Sequence, residues 1–256
     1  MKKFSVIAGN CVIESEETTL ETADFLDDMR KKYGFELIYK SSWTKDNRSS
    51  ADSFSGLDIP ECYEIFKELK ERGFTTLTDV HSSSFIDNYY TADILQLPAY
   101  LCMQTSIIRS LASTRKPINI KKGQFLSPYD VKHIIDKFKY YNKNINLSIT
   151  ERGTCFGYRD LVVDPRSLQI LKEFGYPVFL DVGHSIRKYG IPSKDKSGGN
   201  KEFINTLGKV GAVLGCNIFV EVHPNPKNAK CDAATQINFK EFENLIKEVT
   251  NIWKYS

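Results

Sequence analysis

Eight apolar, β-rich runs recur along the chain, and most are separated by segments with helical periodicity. The runs are FSVIAGNC (4–11), FELIYKSS (35–42), TTLTDVH (75–81), ILQLPA (94–99), PINIKKG (117–123), INLSITERG (145–153), PVFLDVGHS (177–185) and NIFVEVH (217–223). Between them lie amphipathic stretches such as ETTLETADFLDDMRKKYG, IPECYEIFKELKERG, SPYDVKHIIDKFKYYN and EFINTLGKVGAVLG. Each of these closes with Gly or Asn, and Lys or Arg is common in the last turn. Near-continuous apolar strands alternating with helices imply a parallel sheet covered on both faces. Eight such units in 256 residues point to an α/β fold, a single (β/α)8 TIM barrel spanning residues 1–256. A doubly wound open sheet is the alternative, but no GxGxxG follows the first run.

The ends of the runs are polar where a core would not be. They carry Cys11, Lys40, Asp79 with His81, Gln96, Lys121, Glu151 with Arg152, His184, and Glu221 with His223. A barrel of this type builds its active site at the C-terminal ends of its strands. Three of the four histidines fall there.

Bulk properties exclude several classes. Net charge is +3, with acidic and basic residues interleaved, which argues against a dedicated nucleic-acid surface. No apolar stretch approaches the ~18 residues of a membrane span. The opening MKKFSVIAGNC has too short an apolar run for a secretory signal, and Asn10 is not a small cleavage-site residue, so a lipid anchor at Cys11 is rejected. Six cysteines without a CxxC pair fit reduced thiols in a cytoplasmic protein.

Two chemistries meet at the rim. Cys11, His184, Glu221 and Asp232 lie at the ends of the first, seventh and eighth runs and in the loop beyond. In a closed barrel the first and eighth strands are neighbours, so these four can converge. One thiolate, one imidazole and two carboxylates suit a divalent Mn, Fe, Co or Zn ion. The alternative is that Cys11 is a buried small hydrophobe and His184 a satisfied core residue; spacing alone leaves both open. The second group is cationic: Lys40, Lys45, Arg48, Lys121 and Arg152. Five cations in one mouth repel one another unless an anionic ligand occupies it, and Arg and Lys suit phosphate and carboxylate. Together they read as a site for more than one anionic group. SGGN (197–200) offers a flexible lid. His133, mid-helix, reads as a surface or packing residue, and no GxSxG nucleophile elbow is present.

The segments KSSWTKDNRSS, TDVH, INIKKGQFLSP, ERGTCFGYRDLVVDPRSL, FLDVGHS, SGGN and VEVHPNPKNAKCDAATQ occur in this order. Across residues ~4–250 the chain resembles the 3-deoxy-D-manno-octulosonate 8-phosphate synthase family (2-dehydro-3-deoxyphosphooctonate aldolases). NRSS is more specific than any single ligand, because the related synthase of the seven-carbon shikimate precursor carries a KPRTS-like stretch there. The resemblance implies condensation of phosphoenolpyruvate with D-arabinose 5-phosphate for lipopolysaccharide (Kdo) synthesis, by a homotetramer. Lys121, Arg152 and the Ala99 backbone are then expected to hold the phosphate of phosphoenolpyruvate. Lys40, Lys45 and Gln96 bind and orient it, and Asn47, Arg48 and Ser49 grip the pentose phosphate. His223 is expected among the substrate-binding residues, and Lys45, Asp79 and His184 among the catalytic ones. AGNCVIES and DAATQ match the metal-dependent class, which implies Cys11, His184, Glu221 and Asp232 as metal ligands. Met103 stands where the family commonly has Arg, and Ser82 where Glu is common. The rival readings are a synthase using another phosphosugar, such as erythrose 4-phosphate, and a non-catalytic barrel that binds phosphoenolpyruvate.

Overall fold

A computed structural model describes the chain except residues 1, 2, 48, 49, 85, 156–159, 189, 192–194 and 196, and the side chain of Asn88. Eight strands close into a parallel barrel in sequence order. They are β1 (Ser5–Gly9), β2 (Glu36–Lys40), β3 (Thr75–Asp79), β4 (Ile94–Leu97), β5 (Ile118–Lys121), β6 (Leu147–Glu151), β7 (Val178–Asp181) and β8 (Asn217–Glu221). Each lies inside one of the eight runs, and the expected (β/α)8 architecture is the one found. Closure is made by β1 against β8, with Ile7 opposite Phe219 and Gly9 opposite Glu221.

The α-helices among the described residues are α1 (Glu16–Tyr33), α2 (Ile59–Glu71), α3 (Thr105–Ser113), α4 (Val131–Tyr141), α5 (Pro165–Glu173), α6 (Ile204–Val213) and α7 (Phe239–Trp253). Local chemistry sets their ends. Ser15 caps α1 by accepting from Thr18 N at 3.2 Å, and Gly34 ends it in the left-handed region at φ 74°. Asn238 and Glu241 form a capping box at the start of α7. The β3–β4 connection breaks the alternation. It holds a short 3-10 turn (Ile86–Tyr89), because SSSFIDNYYTAD has no amphipathic helical period. His133 is exposed on α4, as its mid-helix position implied.

The main core lies between the strands and the helices. A separate cluster of Ile7, Leu77, Phe179 and Phe219 fills the barrel interior. Between β4 and β6 that interior is polar but satisfied. Gln96 Nε2 donates to Asn119 Oδ1 at 2.7 Å, and Thr150 Oγ1 donates to the same oxygen at 3.0 Å. These bonds hold Gln96 at the mouth of the barrel. No helix among the described residues is long and apolar enough to cross a membrane.

Candidate active site

A cavity of about 430 Å³ opens among the loops that follow the strands. Lys40, Lys45, Asn47, Asp79, Gln96, Ala99, Lys121, Arg152, His184 and Asp232 all line it. Ten of the residues expected from sequence thus converge, although they come from the ends of β2 to β5 and the loops that follow β2, β4, β6, β7 and β8. Tyr100, Leu161, Arg187, Lys188 and Ile191 also face it. Cys11 and Glu221 lie buried beneath. Arg48 and Ser49 lie outside the described residues. His223 does not line the cavity. Its Nδ1 accepts from Asn225 N at 3.0 Å, and its Nε2 lies 3.5 Å from Glu14 Oε2.

Gly9 makes the β1 end possible. At φ 152°, a Cβ there would lie 2.2 Å from the carbonyl oxygen of Lys40. Only glycine permits this approach, which lets β1 turn and carry Cys11 beneath the mouth. Lys40, 2% exposed, is fully engaged: its Nζ donates to Cys11 O (3.1 Å), Ser42 Oγ (3.1 Å) and Glu221 Oε1 (3.0 Å). Lys45 Nζ is 3.7 Å from Asp79 Oδ2, to which His81 Nε2 donates at 2.8 Å. Burial opposes ionisation of Asp79, but Lys45, Lys40 and His81 hold its carboxyl well below the usual range.

Asp181 is the main residue that sequence reasoning passed over. It is fully buried at the end of β7. Its Oδ1 accepts from His184 N at 2.8 Å, while Oδ2 accepts from His184 Nδ1 at 2.9 Å and from Lys121 Nζ at 2.7 Å. Burial raises its pKa, but His184 and Lys121 prevail and keep it ionised. Burial lowers the pKa of Lys121; Asp181 and Glu221 oppose this, while Lys40 and Arg152 add to it. Lys121 also sits 4.0 Å above the Phe219 ring, a cation–π contact. Arg152 is anchored through its main chain: Glu151 Oε1 accepts from Arg152 N (2.9 Å) and Gly153 N (2.7 Å) and pairs with buried Lys122 at 3.3 Å.

With Nδ1 committed to Asp181, His184 turns Nε2 toward Glu221 Oε2 (3.6 Å) and Asp232 Oδ2 (3.8 Å). These gaps are too long for hydrogen bonds but shorter than two metal–ligand bonds of about 2.1 Å. Glu221 Oε2 is buried with no hydrogen-bond partner. Burial raises the pKa of Glu221, but His184, Lys40 and Lys45 outweigh it, so the carboxylate is charged. An imidazole held by a carboxylate, with an orphaned carboxylate oxygen opposite, fits a divalent ion. Asp232 belongs to two donor triads at once. One is His184, Glu221 and Asp232; the other is Cys11, Cys231 and Asp232. Arg187 pairs with the other oxygen of Asp232. Arg187 and Cys231 were not singled out from sequence; their role depends on partners 45 and 220 residues away.

Of the two departures, Met103 is partly buried against the core, and Lys137 donates to its carbonyl at 2.8 Å. Ser82 caps its own loop by accepting from Ser84 N at 3.2 Å.

The closed barrel with a cationic mouth over a mixed donor set defines a class: a barrel of enzyme type that handles small polyanions. The chain belongs to the DAHP synthetase I family, whose family model matches residues 1–255. Among curated proteins it is 43% identical over 257 residues to a 2-dehydro-3-deoxyphosphooctonate aldolase of Caulobacter vibrioides, covering 99% of this chain and 88% of that one. It is 42% identical over 252 residues to that of Protochlamydia amoebophila (97% and 91% covered). It is 41% identical over 259 residues to that of Francisella tularensis subsp. holarctica (99% and 94% covered).

Proposed function

We propose that this protein is a transferase that condenses phosphoenolpyruvate with D-arabinose 5-phosphate and water. The products are 3-deoxy-D-manno-octulosonate 8-phosphate and inorganic phosphate, for lipopolysaccharide (Kdo) synthesis. The observation that carries the reading is near-full-length identity of 41–43% to 2-dehydro-3-deoxyphosphooctonate aldolases. A cavity that gathers Lys40, Lys45, Lys121 and Arg152 supports it, because the two substrates bring two phosphates and a carboxylate.

In this reading Lys121 and Arg152, with the backbone at Ala99, bind the phosphate of phosphoenolpyruvate. Lys45 and Gln96 orient its carboxylate and enol, and Lys40, whose three N–H donors are used internally, adds its charge to binding. Asn47, with Arg48 and Ser49 next to it in the sequence, takes the pentose phosphate. C3 of the enol attacks the sugar aldehyde, a C–C bond forms, and water adds at C2. Phosphate then leaves by C–O cleavage. The fixed cations stabilise charge that grows on the phosphate and the new alkoxide, and holding both substrates in register lowers the entropic cost. The Asp79 carboxylate, held ionised by Lys45 and His81, is suited to orient Lys45 at the substrate rather than to take up a proton itself.

Cys11, His184, Glu221 and Asp232 would hold a divalent Mn, Fe, Co or Zn ion. The ion would act as a Lewis acid that orients the aldehyde or the attacking water. Asp181 fixes the tautomer of His184 for that task. A cytoplasmic homotetramer is the assembly and compartment this reading carries.

The test is an acceptor comparison with product mass. Purified protein is given phosphoenolpyruvate with arabinose 5-phosphate or erythrose 4-phosphate. An eight-carbon product formed with much higher kcat/KM is expected. A seven-carbon product formed preferentially would move the chain to the rival synthase, and binding without turnover would make it a non-catalytic barrel.

A further inference from the structure

Cys11 and Cys231 are 220 residues apart in sequence, yet their sulfurs stand 3.2 Å apart. One side chain ties their backbones together. Gln236 Oε1 accepts from Cys11 N at 3.1 Å, and Gln236 Nε2 donates to Cys231 O at 2.8 Å. Both cysteines are buried, with Val12 and Phe54 packed around them. They sit beside Asp232, which lines the cavity; Cys11 Sγ is 3.1 Å from Asp232 Oδ2. The metal reading uses Cys11 and has no task for Cys231.

We propose that Cys11 and Cys231 form an oxidation site, a dithiol that a peroxide converts to a disulfide when no metal holds Cys11. Closing the sulfurs to the about 2.05 Å of a disulfide takes about 1.2 Å of movement. The Gln236 clamp already holds the two backbones beside each other. The chemistry balances with hydrogen peroxide as oxidant. The sulfur of Cys11 attacks one peroxide oxygen, the O–O bond breaks, and water leaves a sulfenic acid. The sulfur of Cys231 then displaces that hydroxyl as a second water, and the S–S bond forms. Two S–H bonds are lost and the peroxide takes both electrons. The disulfide removes the thiolate that Cys11 would offer a metal, so oxidation and metal loading exclude each other. Bond formation rests on the geometry alone; the exclusion also rests on the metal reading of the proposed function.

The experiment treats full-length, chelator-stripped protein with hydrogen peroxide, quenches with an alkylating agent, and maps peptides without reduction. The expected product joins the Cys11 and Cys231 peptides, two hydrogens lighter than their sum, and a thiol reductant separates them. The same protein loaded with redox-inert Zn²⁺, with occupancy measured by elemental analysis, should cross-link more slowly in proportion to occupancy. In Cys231→Ser, peroxide should carry Cys11 on to a sulfinic acid that reductant does not reverse. Recovery of both cysteines alkylated, or of Cys11 as sulfinic acid in the wild type, overturns the proposal; neither result needs the variant to fold. A cross-link that forms equally fast in the Zn²⁺-loaded protein upholds the oxidation site and overturns Cys11 as a ligand.

Discussion

Asp181→Asn keeps the shape of a fully buried side chain and removes its charge. Three contacts depend on that carboxylate: His184 N, His184 Nδ1 and Lys121 Nζ, at 2.7–2.9 Å. Removing one partner of a buried ion pair costs about 3–5 kcal/mol, because the other charge is stranded. The low end is expected, since Glu221 also acts on Lys121 and Asn retains one acceptor oxygen. A loss of about 3 kcal/mol in unfolding free energy should appear in urea titrations. The second consequence is chemical. An Asn amide can donate to Nδ1, which moves the ring proton to Nε2 and turns the atom aimed at Glu221 and Asp232 from acceptor to donor. Loss of a carboxylate behind a metal-binding His lowers metal affinity about 10–100-fold. Competition with a chromophoric chelator at neutral pH reads this directly. Wild-type stability together with wild-type metal affinity would refute the assignment of Asp181 as the group that orients His184.

Glu151→Gln weakens a carboxylate that ties Arg152 N, Gly153 N and buried Lys122; a loss of about 3 kcal/mol and a raised KM for phosphoenolpyruvate are expected. A change in unfolding free energy under about 0.5 kcal/mol would contradict it. Gly9→Ala would drive a Cβ to 2.2 Å from Lys40 O, so the variant should fail to yield folded protein by circular dichroism, and a wild-type melt would contradict the close approach. Asp79 is held below its ordinary value of 3.8. A depressed carboxylate contributes stability above the unfolded value and loses it as pH falls further, so unfolding free energy should drop below about pH 4. In Asp79→Asn that acid limb should be shallower, and an unchanged slope would contradict the pairing with Lys45 and His81.

The barrel was legible because its signals are local. Buried parallel strands read as short apolar runs, and the polar residues that end them mark the rim, as at Lys40, Lys121 and His184. The missing helix between β3 and β4 was not singled out from the sequence, although SSSFIDNYYTAD carries no helical period. The site was legible where a residue's charge announced it. Lys40, Lys45, Lys121 and Arg152 do line one cavity. What was not legible depends on pairing across the fold. Asp181 looks like another strand-end acid until its bonds to His184 and Lys121 are seen. Gln236 is an ordinary polar residue until it reaches Cys11, 225 positions away. His223 has the same strand-end signature as His184, yet it faces Glu14 rather than the cavity.

The most direct measurement is phosphate release from phosphoenolpyruvate and arabinose 5-phosphate by chelator-stripped protein, with and without added Mn²⁺. Turnover that returns only with the metal is the expected result, and it would join the cationic cavity and the donor set in one active site. Full turnover after verified metal removal would contradict the account and leave Cys11 as an ordinary thiol.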